Sequence, residues 1–207
     1  MNDGATTESQ TPSFEDVFRG DERLIHARQE RYLALFEAAG WVLDVGCGRG
    51  EFLDALRERG IAAKGVDLDK GMVARCREKG HDVESADAGA YLARQDDGSV
   101  PGIFTAQVIE HLPPEALSGL LSLIEAKLEP GGTAVLETVN PHSASAMKAF
   151  WTDPTHHHPL FPEVTLALCR LAGFESGRVT FDDPTGNFDD DVHAKPDYAV
   201  VVSKRPA

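Results

Sequence analysis

Asp44-Val45-Gly46-Cys47-Gly48-Arg49-Gly50-Glu51-Phe52 is the stretch on which the fold of this chain turns. Trp41-Val42-Leu43, just before it, is an apolar run of strand character, and Glu51 to Arg59 continues with helical spacing, so the stretch is a strand joined to a helix by a glycine turn. Gly46 and Gly48 carry no side chain, which lets a ligand lie against bare backbone. A dinucleotide-binding turn works the same way with G-x-G-x-x-G. Counted from Gly46, however, the third glycine position of that pattern is Glu51. An acid at a helix start suits the helix dipole and repels a pyrophosphate. A cofactor with an ammonium and a sulfonium fits better, which makes S-adenosylmethionine the expected cofactor.

About twenty residues on, Ala62 to Asp69 reads as a second short strand ending in carboxylate, and Asp67 is placed to accept both ribose hydroxyls. The alternation continues. Lys70 to Lys79 is expected as a helix, Asp82 to Ser85 as a strand, Ala88 to Arg94 as a helix and Gly102 to Val108 as a strand. After Pro113-Pro114, the residues Leu117, Leu120, Leu121, Ile124 and Leu128 recur at threes and fours, giving a helix with one buried face that stops at Glu129-Pro130-Gly131-Gly132. Thr133 to Val139 is the next strand, Pro162 to Ala172 a helix, and Phe174 to Phe181 and Tyr198 to Val202 the last two strands. Between those two the acidic residues Asp182 to Asp191 read as a solvated turn without helical pattern, so the pair should be antiparallel. Ahead of the glycine turn, Asp21 to Glu37 carries Leu24, Ile25, Tyr32, Leu35 and Phe36 as one apolar helical stripe. The fold expected is α/β and Rossmann-like: a seven-stranded, mostly parallel sheet with an antiparallel last strand and helices on both faces. Ligands on such sheets bind outside the carboxyl ends of the strands, the edge that carries Gly46, Asp67, Asp87 and Gln107.

Composition limits the function classes. At 207 residues one domain is expected, residues 20–207 after a polar, mobile leader at 1–19. A formal charge of -14 argues against a nucleic-acid partner. Three widely spaced cysteines indicate neither a disulfide framework nor a cysteine zinc site. With no run as long as a membrane span and no secretory signal, a cytoplasmic location is expected, as monomer or homodimer.

In order along the chain, Asp44-x-Gly46-x-Gly48-x-Gly50, Gly65-Val66-Asp67, Ala86-Asp87-Ala88, Gln107-Val108-Ile109-Glu110-His111-Leu112 and Pro130-Gly131-Gly132 resemble class I S-adenosylmethionine-dependent methyltransferases. Arg28-Gln29-x-Arg31-Tyr32, the glycine run and Asp153-Pro154-Thr155-His156 followed by Pro159-Leu160 are similar, more narrowly, to bacterial methyltransferases of polysaccharide assembly, including those that O-methylate mannosides. That resemblance implies that Gly46 and Gly48 approach the methionine portion, Asp44 orients the loop or the ammonium group, and Asp67 holds the ribose. It also implies that Asp87 and Ala88 meet the adenine edge, Leu68 packs on its face, Gln107 contacts the methionine side, and Arg28 and Tyr32 reach the methionine carboxylate. The activity it implies is transfer of a methyl group to a sugar or oligosaccharide hydroxyl. The alternatives are methylation of a lipid, quinone or other small molecule, and a noncatalytic S-adenosylmethionine-binding module.

The segment 140–161 is too long for a simple connection and is expected to be the acceptor lid. His142, directly after the fifth strand, is the leading general base and His111 the runner-up. Alignment of hydroxyl, methyl and sulfur supplies up to about 7–11 kcal/mol, against about 10²–10⁴-fold from a base. Glu137, Asp153 and His156 could hold Mg²⁺ against two sugar hydroxyls, while Trp151, His157 and His158 would contact the acceptor.

Overall fold

The computed structural model describes residues 20–206, so the leader expected at 1–19 lies outside the described residues. Its centre is a seven-stranded sheet of order β3-β2-β1-β4-β5-β7-β6. The strands are β1 (Val42–Val45), β2 (Ala63–Asp67), β3 (Val83–Ser85), β4 (Val100–Ala106), β5 (Leu128–Val139), β6 (Ser176–Phe181) and β7 (Asp197–Ser203). β1 to β5 pair in parallel, and β7 runs antiparallel to both β5 and β6. β1 and β4, at the centre, are buried along their whole length, as strands covered on both faces must be. The expected sheet, with its antiparallel ending, is the one observed.

The helices are α1 (Glu22–Gln29), α2 (Glu51–Glu58), α3 (Lys70–Glu78), α4 (Ala88–Ala93), α5 (Pro114–Lys127), α6 (Ala144–Thr152), α7 (Pro162–Leu171) and α8 (Phe188–Ala194). Caps fix where several begin: Asp69 accepts from the Gly71 and Met72 amides to start α3, and Asp87 accepts from Ala90 to start α4. One face of the sheet packs Leu43, Ile103, Leu121, Ile124 and Leu136. The other packs Tyr32, Phe36, Phe52, Phe104 and Val135, with the Phe52 and Phe104 rings 3.8 Å apart. None of the helices among the described residues is long and apolar enough to cross a membrane.

Three expectations about local structure need correction. The leading helix ends at Gln29 and continues as a 3₁₀ turn, Glu30–Leu35. Tightening to three residues per turn shifts the phase of the stripe, so Ile25, Tyr32, Leu33 and Phe36 are buried while Leu24 is 72% exposed. The acidic stretch before β7 is not a plain turn but contains α8. Asn187 caps it by accepting from the Asp189 amide, and Asp189, Asp190 and Asp191 fill the first turn, where the helix dipole favours negative charge. The fifth strand, expected to begin at Thr133 after a glycine stop, begins at Leu128 directly after α5, and the lid segment carries α6, anchored by Ala146 and Phe150.

Candidate active site

The glycine turn is held from beneath and from one side. The amides of Gly46 and Cys47 donate to the Val66 carbonyl, and the Gly48 amide donates to Asp67 Oδ2 at 2.8 Å. Gly46, Gly48 and Gly50 all have positive φ, which only glycine adopts without strain. Asp67 is therefore a strut as well as a candidate ribose acceptor, since its Oδ1 also accepts from the Asp69 amide at 2.8 Å. Leu68, beside it, is 73% exposed, and Asp44 is buried at the end of β1. Ala88 opens α4 directly after Asp87. Gln107 leaves β4 with a left-handed φ of 56°, and its side-chain amide donates to Asp197 Oδ1 at 3.2 Å. These residues do share the carboxyl edge of the sheet.

Glu51 stands differently from its sequence reading. It is 2% exposed and paired with Arg49 at 2.8 Å, so its charge is largely neutralised. What separates this turn from a dinucleotide turn is a side chain at the position where the third glycine lets the helix pack close against the strand.

Arg28 and Tyr32 are committed to a buried network rather than placed on an open methionine site. Tyr32 is 1% exposed and its hydroxyl donates to Glu137 Oε2 at 2.6 Å. Burial, reinforced by the Glu137 charge, pushes the phenol far above its ordinary value, so it stays a donor. Arg31 donates to the same Glu137 oxygen at 3.0 Å, and Arg28 lies between Glu137 (3.5 Å) and Asp197 (2.9 Å). Burial and the neighbouring Glu137 raise the Asp197 carboxyl above its usual range, with Arg28 pulling the other way. Asp197 carried no sequence signal, and Arg31 entered only as part of the motif Arg28-Gln29-x-Arg31-Tyr32. Their partners lie 106 and 90 to 169 residues away.

The expected metal trio does not assemble, because Glu137 faces these arginines while Asp153 accepts from the Thr155 amide and hydroxyl. The group that comes together among the described residues is Glu110, His111 and His156, with ligand atoms within 4.8 Å of one another. The His111 and His156 rings meet edge-on at 4.5 Å, and Thr155 Oγ1 lies 2.9 Å from His111 Nδ1. Glu110 was visible in the sequence only as part of a motif. In the structure it is 1% exposed, and neither carboxylate oxygen has a hydrogen-bond partner among the described residues. Burial pushes its carboxyl up to about 8, while its own backbone amide and the Thr138 hydroxyl pull the other way without reaching bonding geometry. The His157 amide donates to the Glu110 carbonyl at 2.9 Å, pinning the lid to the end of β4. His157 itself is exposed, its ring 6.4 Å from that of half-buried His158. Trp151 is 67% exposed and sits edge-on to Phe150. His142 belongs to another group, facing Glu163 at 3.5 Å and the rings of Phe161 and His193.

A family model described as a methyltransferase domain matches residues 17–176. A crystal structure of an S-adenosylmethionine-dependent methyltransferase from Archaeoglobus fulgidus is 33% identical, with a TM-score of 0.83 over 92% of this chain and 98% of that one. The chain belongs to the S-adenosylmethionine-dependent methyltransferases. Among curated relatives, a ubiquinone biosynthesis O-methyltransferase of Pseudomonas paraeruginosa is 33% identical over 48% of this chain and 44% of its own length. The same-named protein of Xanthomonas axonopodis pv. citri is 28% identical over 75% of this chain and 73% of its own. The chain thus spans under half the length of the Pseudomonas relative.

The reaction asks little bond-making of a methyltransferase. The sulfonium of S-adenosylmethionine is already an activated electrophile, so the protein must hold donor and acceptor in line and help the acceptor lose a proton. Glu110 and His111 follow Gln107 by three and four residues, and His156 of the lid segment lies close to them.

Proposed function

We propose that this methyltransferase moves the methyl group of S-adenosylmethionine to a hydroxyl of a small polyhydroxylated acceptor of the sugar class. The observation that carries the reading is the polar wall of His111, Thr155 and His156, continuous with Asp153 and lying on the same lid as exposed Trp151. Such a wall supplies directed hydrogen bonds to hydroxyls, and an exposed indole can cover a sugar ring face. Gly46 and Gly48 would lie along the methionine portion, with Asp44 and Gln107 beside it. Asp67 would hold the ribose, Asp87 and Ala88 the adenine edge, and Leu68 its face.

Two substitutions test the halves separately. Asp67→Ala removes the ribose acceptor and the strut under Gly48, so KM for S-adenosylmethionine should rise by about 10²-fold, two charge-assisted bonds being worth at least that. Initial rates across cofactor concentrations read it. On the acceptor side, His111 is better placed than His142, whose ring is boxed by Phe161, His193 and Glu163. His111→Ala should lower kcat by about 10²–10⁴-fold with cofactor affinity kept, and His142→Ala by less than about tenfold. The reverse order would return His142 to first place.

A second reading, methylation of a phenolic hydroxyl, is favoured by the names of the curated relatives, which are ubiquinone biosynthesis O-methyltransferases. A methyl-transfer screen with radiolabelled cofactor, run over mannosides, other sugars and catechol-type quinone precursors, separates the two. Label in the sugar fractions is expected; label confined to catechols would replace the first reading by the second.

A further inference from the structure

The hydrogen bonds around His111 and His156 determine where their protons sit. Thr155 Oγ1 is 2.6 Å from Asp153 Oδ1 and 2.9 Å from His111 Nδ1. A carboxylate only accepts, so the threonine proton goes to Asp153 and the hydroxyl oxygen receives an N–H from His111 Nδ1. His156 Nδ1 is 2.8 Å from the Phe150 carbonyl oxygen, again a pure acceptor, so that nitrogen also carries its proton. In its neutral form each imidazole therefore carries its lone pair on Nε2. This is how metal-binding histidines are held: the far nitrogen donates to a carbonyl or a polar oxygen and the ligating nitrogen is aimed by it.

Close to both lies Glu110, almost wholly buried, with both carboxylate oxygens unpartnered among the described residues. A buried carboxyl in that state costs stability unless it stays protonated or meets a cation. We propose that Glu110, His111 and His156 form a three-ligand site for a divalent transition metal of the zinc type, leaving one coordination position for the acceptor hydroxyl. Two imidazoles and one carboxylate make a donor set suited to zinc rather than to magnesium, which prefers oxygen throughout. In this site zinc takes the place of the expected Mg²⁺, and of the expected ligands only His156 is kept. Bonds of about 2.0–2.1 Å in a tetrahedron put ligand atoms about 3.4 Å apart, so the group, now within 4.8 Å, closes by roughly an ångström of side-chain movement. Asp153 Oδ2, 3.8 Å from His156 Nε2, adds a second negative charge beside the ion.

The role of the site, though not its existence, rests on the O-methyltransferase reading. A metal-bound hydroxyl loses its proton to solvent more readily than a free one. Its oxygen then forms the bond to the methyl carbon as the carbon–sulfur bond breaks, the electron pair staying on sulfur.

The test needs no acceptor. The full chain is stripped with a chelator and titrated with Co²⁺, a visible-absorbing stand-in for zinc. One equivalent should bind with visible absorption bands of a low-coordinate site, and Zn²⁺ should displace it. His156→Gln should weaken Co²⁺ binding by about 10²-fold or more and Thr155→Val, which only orients His111, by about tenfold. Unchanged binding of S-adenosylhomocysteine in each variant shows that the fold is kept. A silent titration of the unaltered chain, equal Co²⁺ affinity in His156→Gln, or displacement of Co²⁺ by equimolar Mg²⁺ would each overturn the site. A chain that binds Co²⁺ as expected but methylates no hydroxyl in the screen would overturn the acceptor reading and leave the site standing.

Discussion

Gly46→Ala should abolish measurable methyl transfer by weakening S-adenosylmethionine binding at least about 10²-fold, the largest loss expected from adding a single carbon to this chain. Two costs combine. Gly46 has φ of +73°, and an L-residue in that region costs about 1–2 kcal/mol. A Cβ built there would also lie 2.3 Å from Val108 Cγ2, well inside contact distance. Valine is stiff about its first side-chain bond and cannot swing aside cheaply, so either the glycine turn or the turn after β4 must move, adding about 1–3 kcal/mol. Both turns line the same sheet edge, so either movement disturbs it. Isothermal titration with S-adenosylhomocysteine measures the loss. In the double variant Gly46→Ala/Val108→Ala the clash is gone and the backbone strain remains, so affinity should recover partway. No recovery would mean that the strain alone accounts for the effect.

Glu137→Gln should destabilise the fold by about 3 kcal/mol, the lower end of the 3–5 kcal/mol that follows from removing one partner of a buried ion pair. Glu137 is fully buried, and it is the shared counter-charge of Arg28 and Arg31 and the acceptor of the Tyr32 hydroxyl. Without its charge Arg28 keeps Asp197 and Arg31 keeps Asp182, but the buried counter-charge between the two guanidinium groups is gone. Their side chains are 31% and 17% exposed, and water reaching them is the reason for choosing the lower figure. Tyr32→Phe removes one donor and keeps the ion pairs, so about 1 kcal/mol is expected. Urea unfolding of the three proteins reads both numbers. A loss in Glu137→Gln no larger than in Tyr32→Phe would mean that the arginines find other partners.

The glycine edge of the sheet was legible because its signals are local. The turn from Asp44 to Gly50, the carboxylate two residues after Gly65 and the cap at Asp87 each lie within a few residues of the backbone they shape, and they meet at one sheet edge. The mostly parallel sheet was legible for a similar reason, since alternating strands and helices leave few right-handed ways to wind. What escaped was whatever depends on distant partners. The helix α8 had its cap and acidic first turn in plain view at Asn187 to Asp191, but a run of aspartates in a polar segment resembles a solvated turn until Val192 and Asp191 are seen buried. Glu137 looked like a metal ligand because arginines at positions 28 and 31 say nothing in sequence about position 137. Glu110 was passed over for the opposite reason: it sits in a common motif, and only its burial and missing partners set it apart.

Asp197, at the first position of β7, bonds Arg28 across 169 residues and Gln107 across 90. During synthesis, at roughly 5–20 residues per second, the leading helix would wait on the order of 10–30 s for that carboxylate to appear. Until then the glycine turn can fold while Arg28 and Gln107 lack the residue that joins them. A nascent chain halted before Asp197 would therefore hold Arg28 through Glu137 while Gln107, beside the glycine turn, waits for its anchor.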